Sequence, residues 1–122
     1  MEPRTIARLI ALGRVAIGAV LVAAPERAGE RWIGDTSRSG GAQVIIAGVG
    51  ARDLALGLGT AWALGGGEGE RPWLLAGVVA DTTDLVVTLR HRDAISVSAL
   101  IGVGVIAGGS AALGLWLQSA VD

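Results

Sequence analysis

Apolar residues fall into four long runs, at about 5–24, 42–64, 73–89 and 94–117, separated by shorter stretches that carry most of the charge. Each of the first three ends at a recognisable signal. Pro25 stops the first and Gly65-Gly66-Gly67 the second, while Pro72 is placed to open the third and Arg90 to close it. As helices, runs of about 17 to 24 residues cover roughly 25–36 Å, which matches a hydrocarbon core of about 30 Å. A buried helix of a water-soluble fold is satisfied by about 10–14 apolar residues. Four consecutive runs of this length therefore predict an all-α, polytopic integral membrane four-helix bundle, one domain spanning 1–122. Val22 and Ala24 would suit a signal-peptide cleavage site, but Arg14 interrupts the apolar stretch and Pro25 would follow the cut, so a retained helix is expected.

Composition sharpens this picture. The chain is 52% hydrophobic and 17% charged, with a mean hydropathy of +0.60, more apolar than soluble domains of this size. Its twenty glycines suit close helix approach in lipid. With no cysteine, disulfides, thiolate metal sites and cysteine nucleophiles are excluded, and the lone His91 leaves no histidine-based zinc or bis-histidine haem site within one chain. No metal or cofactor is called for. Every basic residue is Arg, dispersed or within a span, which is no nucleic-acid footprint. The lysine-free, Gly/Ala/Arg-rich usage is that of GC-rich bacterial coding.

The connections set the expected orientation. Four spans put both termini on one side, with Arg4, Arg8 and Arg71; the other side holds Arg27, Arg31, Arg38, Arg90 and Arg92. The excess places the first and third loops in the cytoplasm and the termini outside the cell membrane. Trp62, Trp73 and Trp116 fall at the terminus-side ends of their helices, an interfacial belt. In the first loop, Glu26/Glu30 and Arg27/Arg31 are like-charged i,i+4 pairs. A short interfacial helix anchored by Trp32 and a solvated loop both fit that segment. His91, in the tight turn Arg90-His91-Arg92-Asp93, is expected to be solvated.

Five charged residues fall inside the spans: Arg14, Arg52, Asp53, Asp81 and Asp84. At the centre of a lone helix each would cost roughly 2.5–3.5 kcal/mol even on the cheaper insertion scales. They are therefore expected to converge around one interior site at mid-membrane. Asp81 and Asp84 are i and i+3, on one helix face that Thr88 continues, while Thr82 and Thr83 can bond the backbone or neighbours. Arg52 and Asp53 point about 100° apart, so one is expected to address the third span and the other the first. Two Arg against three Asp leave a net charge of −1, which favours one retained proton among the carboxyls. Ala47, Ala51, Ala55, Gly59 and Ala63 form an i,i+4 stripe expected to pack closely on another helix, and Gly104 and Gly108 stand at GxxxG spacing.

Gly13-Arg14, Gly50-Ala51-Arg52-Asp53-Leu54-Ala55-Leu56-Gly57 and Ala80-Asp81-Thr82-Thr83-Asp84 together resemble small bacterial four-helix membrane proteins of unknown function, loosely DoxX-like. The likeness covers the first three spans. It implies a four-helix membrane bundle, often encoded near redox or small-molecule metabolism, and carries over no catalytic residue. The cysteines of some DoxX relatives are missing here, which argues against thiol redox chemistry.

Three functions follow as expectations. Arg14, Arg52, Asp53, Asp81 and Asp84 could bind a small polar or lipophilic ligand or relay protons. Alternatively Asp81, Asp84, Asp53 and Arg52 could form a cofactor-independent acid/base site acting on a lipophilic substrate, as an isomerase, cyclase or epoxide-opening hydrolase would. A structural or accessory subunit is the third, with Arg–Asp pairs only setting helix register. The bilayer is the expected partner, and the Ala/Gly faces are candidates for self-association. A lined cavity would separate the first two readings from the third.

Overall fold

The computed structural model describes residues 1–121, and they form a bundle of four long helices with one short one. Helix α1 runs Pro3–Ala23, with Pro3 in its first turn where a missing N–H costs nothing. It stops at Ala24, the residue before Pro25. Pro25 then opens α2, Pro25–Ile33, so the first loop is helical. Gly34, at φ 64°, ends α2 and leads into a 3-10 turn, Gly34–Arg38. Ser39 caps α3, Gly40–Leu64, its Oγ accepting from the Ala42 N–H at 3.2 Å. That cap starts the helix two residues before the apolar run.

Helix α4, Glu70–Arg90, likewise starts ahead of Pro72, because Gly69 at φ 83° turns the chain in and the first-turn N–H groups need no helical partner. The fourth run begins later than its hydropathy suggests. Residues Arg92–Ala94 form a 3-10 turn, and Ser96 caps α5, Val97–Ala120, by accepting from the Ala99 N–H. Within α5 the segment Gly104–Gly108 is π-helical. All four long helices are long and apolar enough to cross a membrane. Leu9, Leu12, Val44, Ile45 and Val105 stand more than half exposed on their outer faces. By length and composition this is a multi-pass membrane protein.

Packing departs from the expected small-residue stripes. The α1–α3 seam runs through Gly18, Gly50 and Gly57, where a Cβ on Gly18 would lie 2.6 Å from the Gly50 carbonyl oxygen and one on Gly57 would lie 2.7 Å from that of Ala11. Ala51 and Ala55 of the expected stripe are exposed, and Gly59 instead meets the Trp73 ring. The reason is that the buried face of α3 must carry Asp53, which stands three residues after Gly50 and four before Gly57. A Cβ on Gly104, too, would meet nothing; α5 approaches α4 at Gly114, against Val78. The expected aromatic belt divides: Trp62 and Trp116 face outward, whereas Trp73 is turned in.

The two halves of the bundle differ. Toward the termini, Ala7, Leu64, Leu74, Leu117 and Val121 close an apolar core. Arg4 pairs with Glu70 at 3.2 Å, and Arg4 and Arg8 donate to the Leu64 carbonyl at the end of α3. Toward α2, α1 follows α3 and α4 follows α5, and a cleft opens between α1 and α5.

Candidate functional site

All five charged residues singled out within the spans meet at one place. Arg14 donates through Nη1 to Asp53 Oδ1 at 3.2 Å and through Nη2 to Asp81 Oδ2 at 2.6 Å. Arg52 grips Asp84 with two parallel bonds, Nη1 to Oδ1 at 2.8 Å and Nη2 to Oδ2 at 2.6 Å. Its Nε and Nη2 also donate to Asp53 Oδ1, at 3.3 and 3.1 Å. Asp53 is thus shared between the two guanidinium groups, and the order Asp81–Arg14–Asp53–Arg52–Asp84 links α1, α3 and α4.

The angular argument for Arg52 and Asp53 matches this arrangement: Asp53 faces α1 through Arg14, and Arg52 faces α4 through Asp84. Side-chain exposure is 10–11% for Arg14, Asp53 and Asp81, 18% for Asp84 and 30% for Arg52. Two cations therefore serve three carboxylates in a mostly dry setting. The ion-paired carboxylates do not converge on a common point, and among the described residues no group of three His, Cys, Asp or Glu is placed to hold a metal ion.

The role of Gly77 and the partner of Thr88 escaped the sequence pattern. Gly77, one turn before Asp81, leaves room for Arg14; a Cβ there would lie 3.1 Å from Nη2. Its signal, a glycine four residues from an intramembrane Asp, is lost among twenty glycines. Thr88, on the Asp81/Asp84 stripe, is buried and accepts from Trp32 Nε1 at 3.1 Å, tying α2 to α4. Thr83 donates to the Val79 carbonyl of its own helix. His91 is exposed in its turn.

The network borders a cavity of about 1000 Å³ between α1, α2 and α5, at the upper end of small-molecule pockets, roughly 300–1,000 Å³. Arg14, Asp53, Asp81 and Asp84 line its floor, and Ile17, Val20, Val103 and Ile106 are among its walls. Arg52 does not line it and reaches it only through Asp84 and Asp53. Arg27, Arg31 and Trp32 of α2 line it too; in the sequence they read as first-loop residues, the arginines as a guide to orientation and the tryptophan as an interfacial anchor, and not as part of the site.

Fold and site together define a multi-pass helical bundle with an ion-paired floor beneath an apolar cleft. Comparison with protein-family models, curated proteins and solved structures gives no match, so the functional reading rests on this geometry.

Proposed function

We propose that this is a membrane-embedded binding protein for a lipophilic small molecule, whose polar group hydrogen-bonds to the carboxylates of Asp81 and Asp84. The observation that carries this reading is the cleft itself: four of the five network residues border about 1000 Å³ of open space. Ion pairs that served only to lock helices would call for no such volume beside them. Guanidinium anchors hold the carboxylate oxygens in fixed positions, and the remaining lone pairs are acceptors for a ligand's hydroxyl or amine. A transmembrane proton relay is less well served, because the apolar cluster of Ala7, Leu64, Leu74, Leu117 and Val121 fills the terminal half of the bundle. The acid/base enzyme is a second reading of the same floor, favoured by two carboxyls, Asp81 and Asp84, facing one cavity; product formation from a bound ligand would establish it.

The test uses glycines that line the cleft. Gly13 and Gly102 both border the cavity and have open space where a Cβ would stand. Gly102→Leu should therefore obstruct the cleft beside Val103 and Ile106 without a clash. Native mass spectrometry of the protein released from membranes should show a retained lipophilic species in the wild type, lost in Gly102→Leu and depleted in Asp81→Asn. Equal occupancy in wild type and Gly102→Leu would refute the proposal.

A further inference from the structure

Helix α2 lies across the cleft with its charges sorted by face. Arg27, Ala28, Arg31 and Trp32 line the cavity; Glu26 and Glu30 do not. Arg27 and Arg31 are one turn apart on one face of α2, a like-charged i,i+4 pair that destabilises an isolated helix. Neither has an ion-pair or hydrogen-bond partner among the described residues. Among the arginines that line the cleft this contrasts with Arg14, which is paired with Asp53 and Asp81 in the floor. Trp32, between the arginines and the interior, is held by its bond to Thr88, which fixes this end of α2 to the bundle. Ser98, two residues into α5, adds a hydroxyl to the same lining.

Two unpaired guanidinium groups spaced by one helical turn match an oxyanion with several acceptor oxygens. Below them the lining turns apolar. From Ser98 to Ser110, both on the lining, α5 runs three turns and more, roughly 18 Å. The cleft thus has a cationic mouth, an apolar shaft and a polar floor.

We infer that Arg27 and Arg31 form a headgroup subsite, and that the ligand of the cleft is an amphiphile with a phosphate head, seated with its head at α2 and its chain between α1 and α5. This rests on the binding function proposed above and adds the ligand's class. The charge is complementary: the head meets two cations at the mouth, while the floor, with its net −1, would repel it from the deep end. Orientation follows from the same difference. The head enters at α2, and the chain runs toward Asp81 and Asp84, whose carboxylates accept from a second polar group, a hydroxyl or amine, at its far end.

The experiment reconstitutes the full chain in nanodiscs of zwitterionic lipid and adds 16-hydroxyhexadecyl phosphate carrying a photoreactive diazirine in its chain. Peptide mass spectrometry then reads labelling at Ile17, Val103 and Ile106 in the cleft, against Val44 and Ile45 on the outer surface. Cleft labelling in the wild type should fall at least tenfold in the Arg27→Gln/Arg31→Gln double variant and in Gly102→Leu. It should be unchanged in Arg38→Gln, and at least tenfold weaker with the diazirine analogue of hexadecanol. Circular dichroism should be the same for all, since neither rim arginine has a partner to lose. Equal cleft labelling by phosphate and alcohol, or an unaffected double variant, would overturn the headgroup subsite while leaving the binding cleft standing. Arginine-dependent labelling that survives in Gly102→Leu would assign Arg27 and Arg31 to the bilayer surface and overturn it as well. Full competition by inorganic phosphate at concentrations equal to the probe's would show a free-anion site, again against the amphiphile. Cleft labelling by neither probe would overturn the proposed function itself.

Discussion

Replacing Arg14 should be the most damaging single change in the charged network, and more damaging than replacing its partner Asp81. Arg14→Gln removes what is, among the described residues, the only guanidinium that reaches Asp81, whose side chain is 10% exposed. It also removes one of the two that hold Asp53. Three carboxylates then face Arg52 alone, and the network charge goes from −1 to −2. Leaving one partner of a buried pair uncompensated typically costs about 3–5 kcal/mol. Asp81→Asn works in the opposite direction. The network becomes neutral, Arg14 keeps Asp53 at 3.2 Å, and an amide oxygen can still accept from Nη2. The cost should be that of weakening one charge-assisted hydrogen bond, about 1.5–3 kcal/mol at most. Arg52→Gln should fall between, because Arg52 is 30% exposed and Asp84 18%, so water partly screens the charge that is left. Equilibrium unfolding by SDS titration in mixed micelles, followed by far-ultraviolet circular dichroism, gives the order directly. An Asp81→Asn loss equal to or larger than that of Arg14→Gln would refute the charge arithmetic, and with it the claim that the network holds a surplus carboxylate.

Four further outcomes are expected. Ser37 is fully buried, and its Oγ is without a hydrogen-bond partner among the described residues; Ser37→Ala should raise stability by about 1 kcal/mol in the same titration, and a loss of that size would contradict the geometry of the turn. Trp32→Phe removes the bond to Thr88 and should speed hydrogen exchange in α2 at least several-fold without changing exchange in α3; uniform protection would show that α2 is held otherwise. Gly18→Ala forces a Cβ against the Gly50 carbonyl and should cost about 1–3 kcal/mol, whereas Gly13→Ala, with open space, should be neutral or stabilising by up to about 1 kcal/mol; equal effects would mean that α1 meets α3 on another face. Reporter fusions after Gly67 and after Asp93 should locate to opposite sides of the membrane, and a shared side would exclude the four-span topology.

Much of this architecture is decided by local physical chemistry and is therefore legible in the chain. Long apolar runs must be helical in lipid, because no water is there to satisfy an open backbone. Pro25 and Gly65-Gly66-Gly67 end helices through their own backbone geometry, and the Ser39 and Ser96 caps shift the boundaries by only a few residues. The meeting of Arg14, Arg52, Asp53, Asp81 and Asp84 follows from cost alone, since each charge is tolerable in the span only beside an opposite one. Even the division of labour between Arg52 and Asp53 follows from the 100° between successive side chains.

Tertiary structure alone decided how the helices are rotated about their axes. With twenty glycines and many alanines, several faces of α3 could serve for close contact, and a local pattern cannot rank them. The face chosen is the one that buries Asp53 between Gly50 and Gly57, leaving Ala51 and Ala55 outside. Gly77 acquires its role only because Arg14 of another helix needs its space. The cleft, and the turning of Arg27 and Arg31 toward it, follow from how α1 and α5 are held apart by their separate partners, α3 and α4. No short stretch of sequence contains that separation, because it is a balance of contacts among five helices.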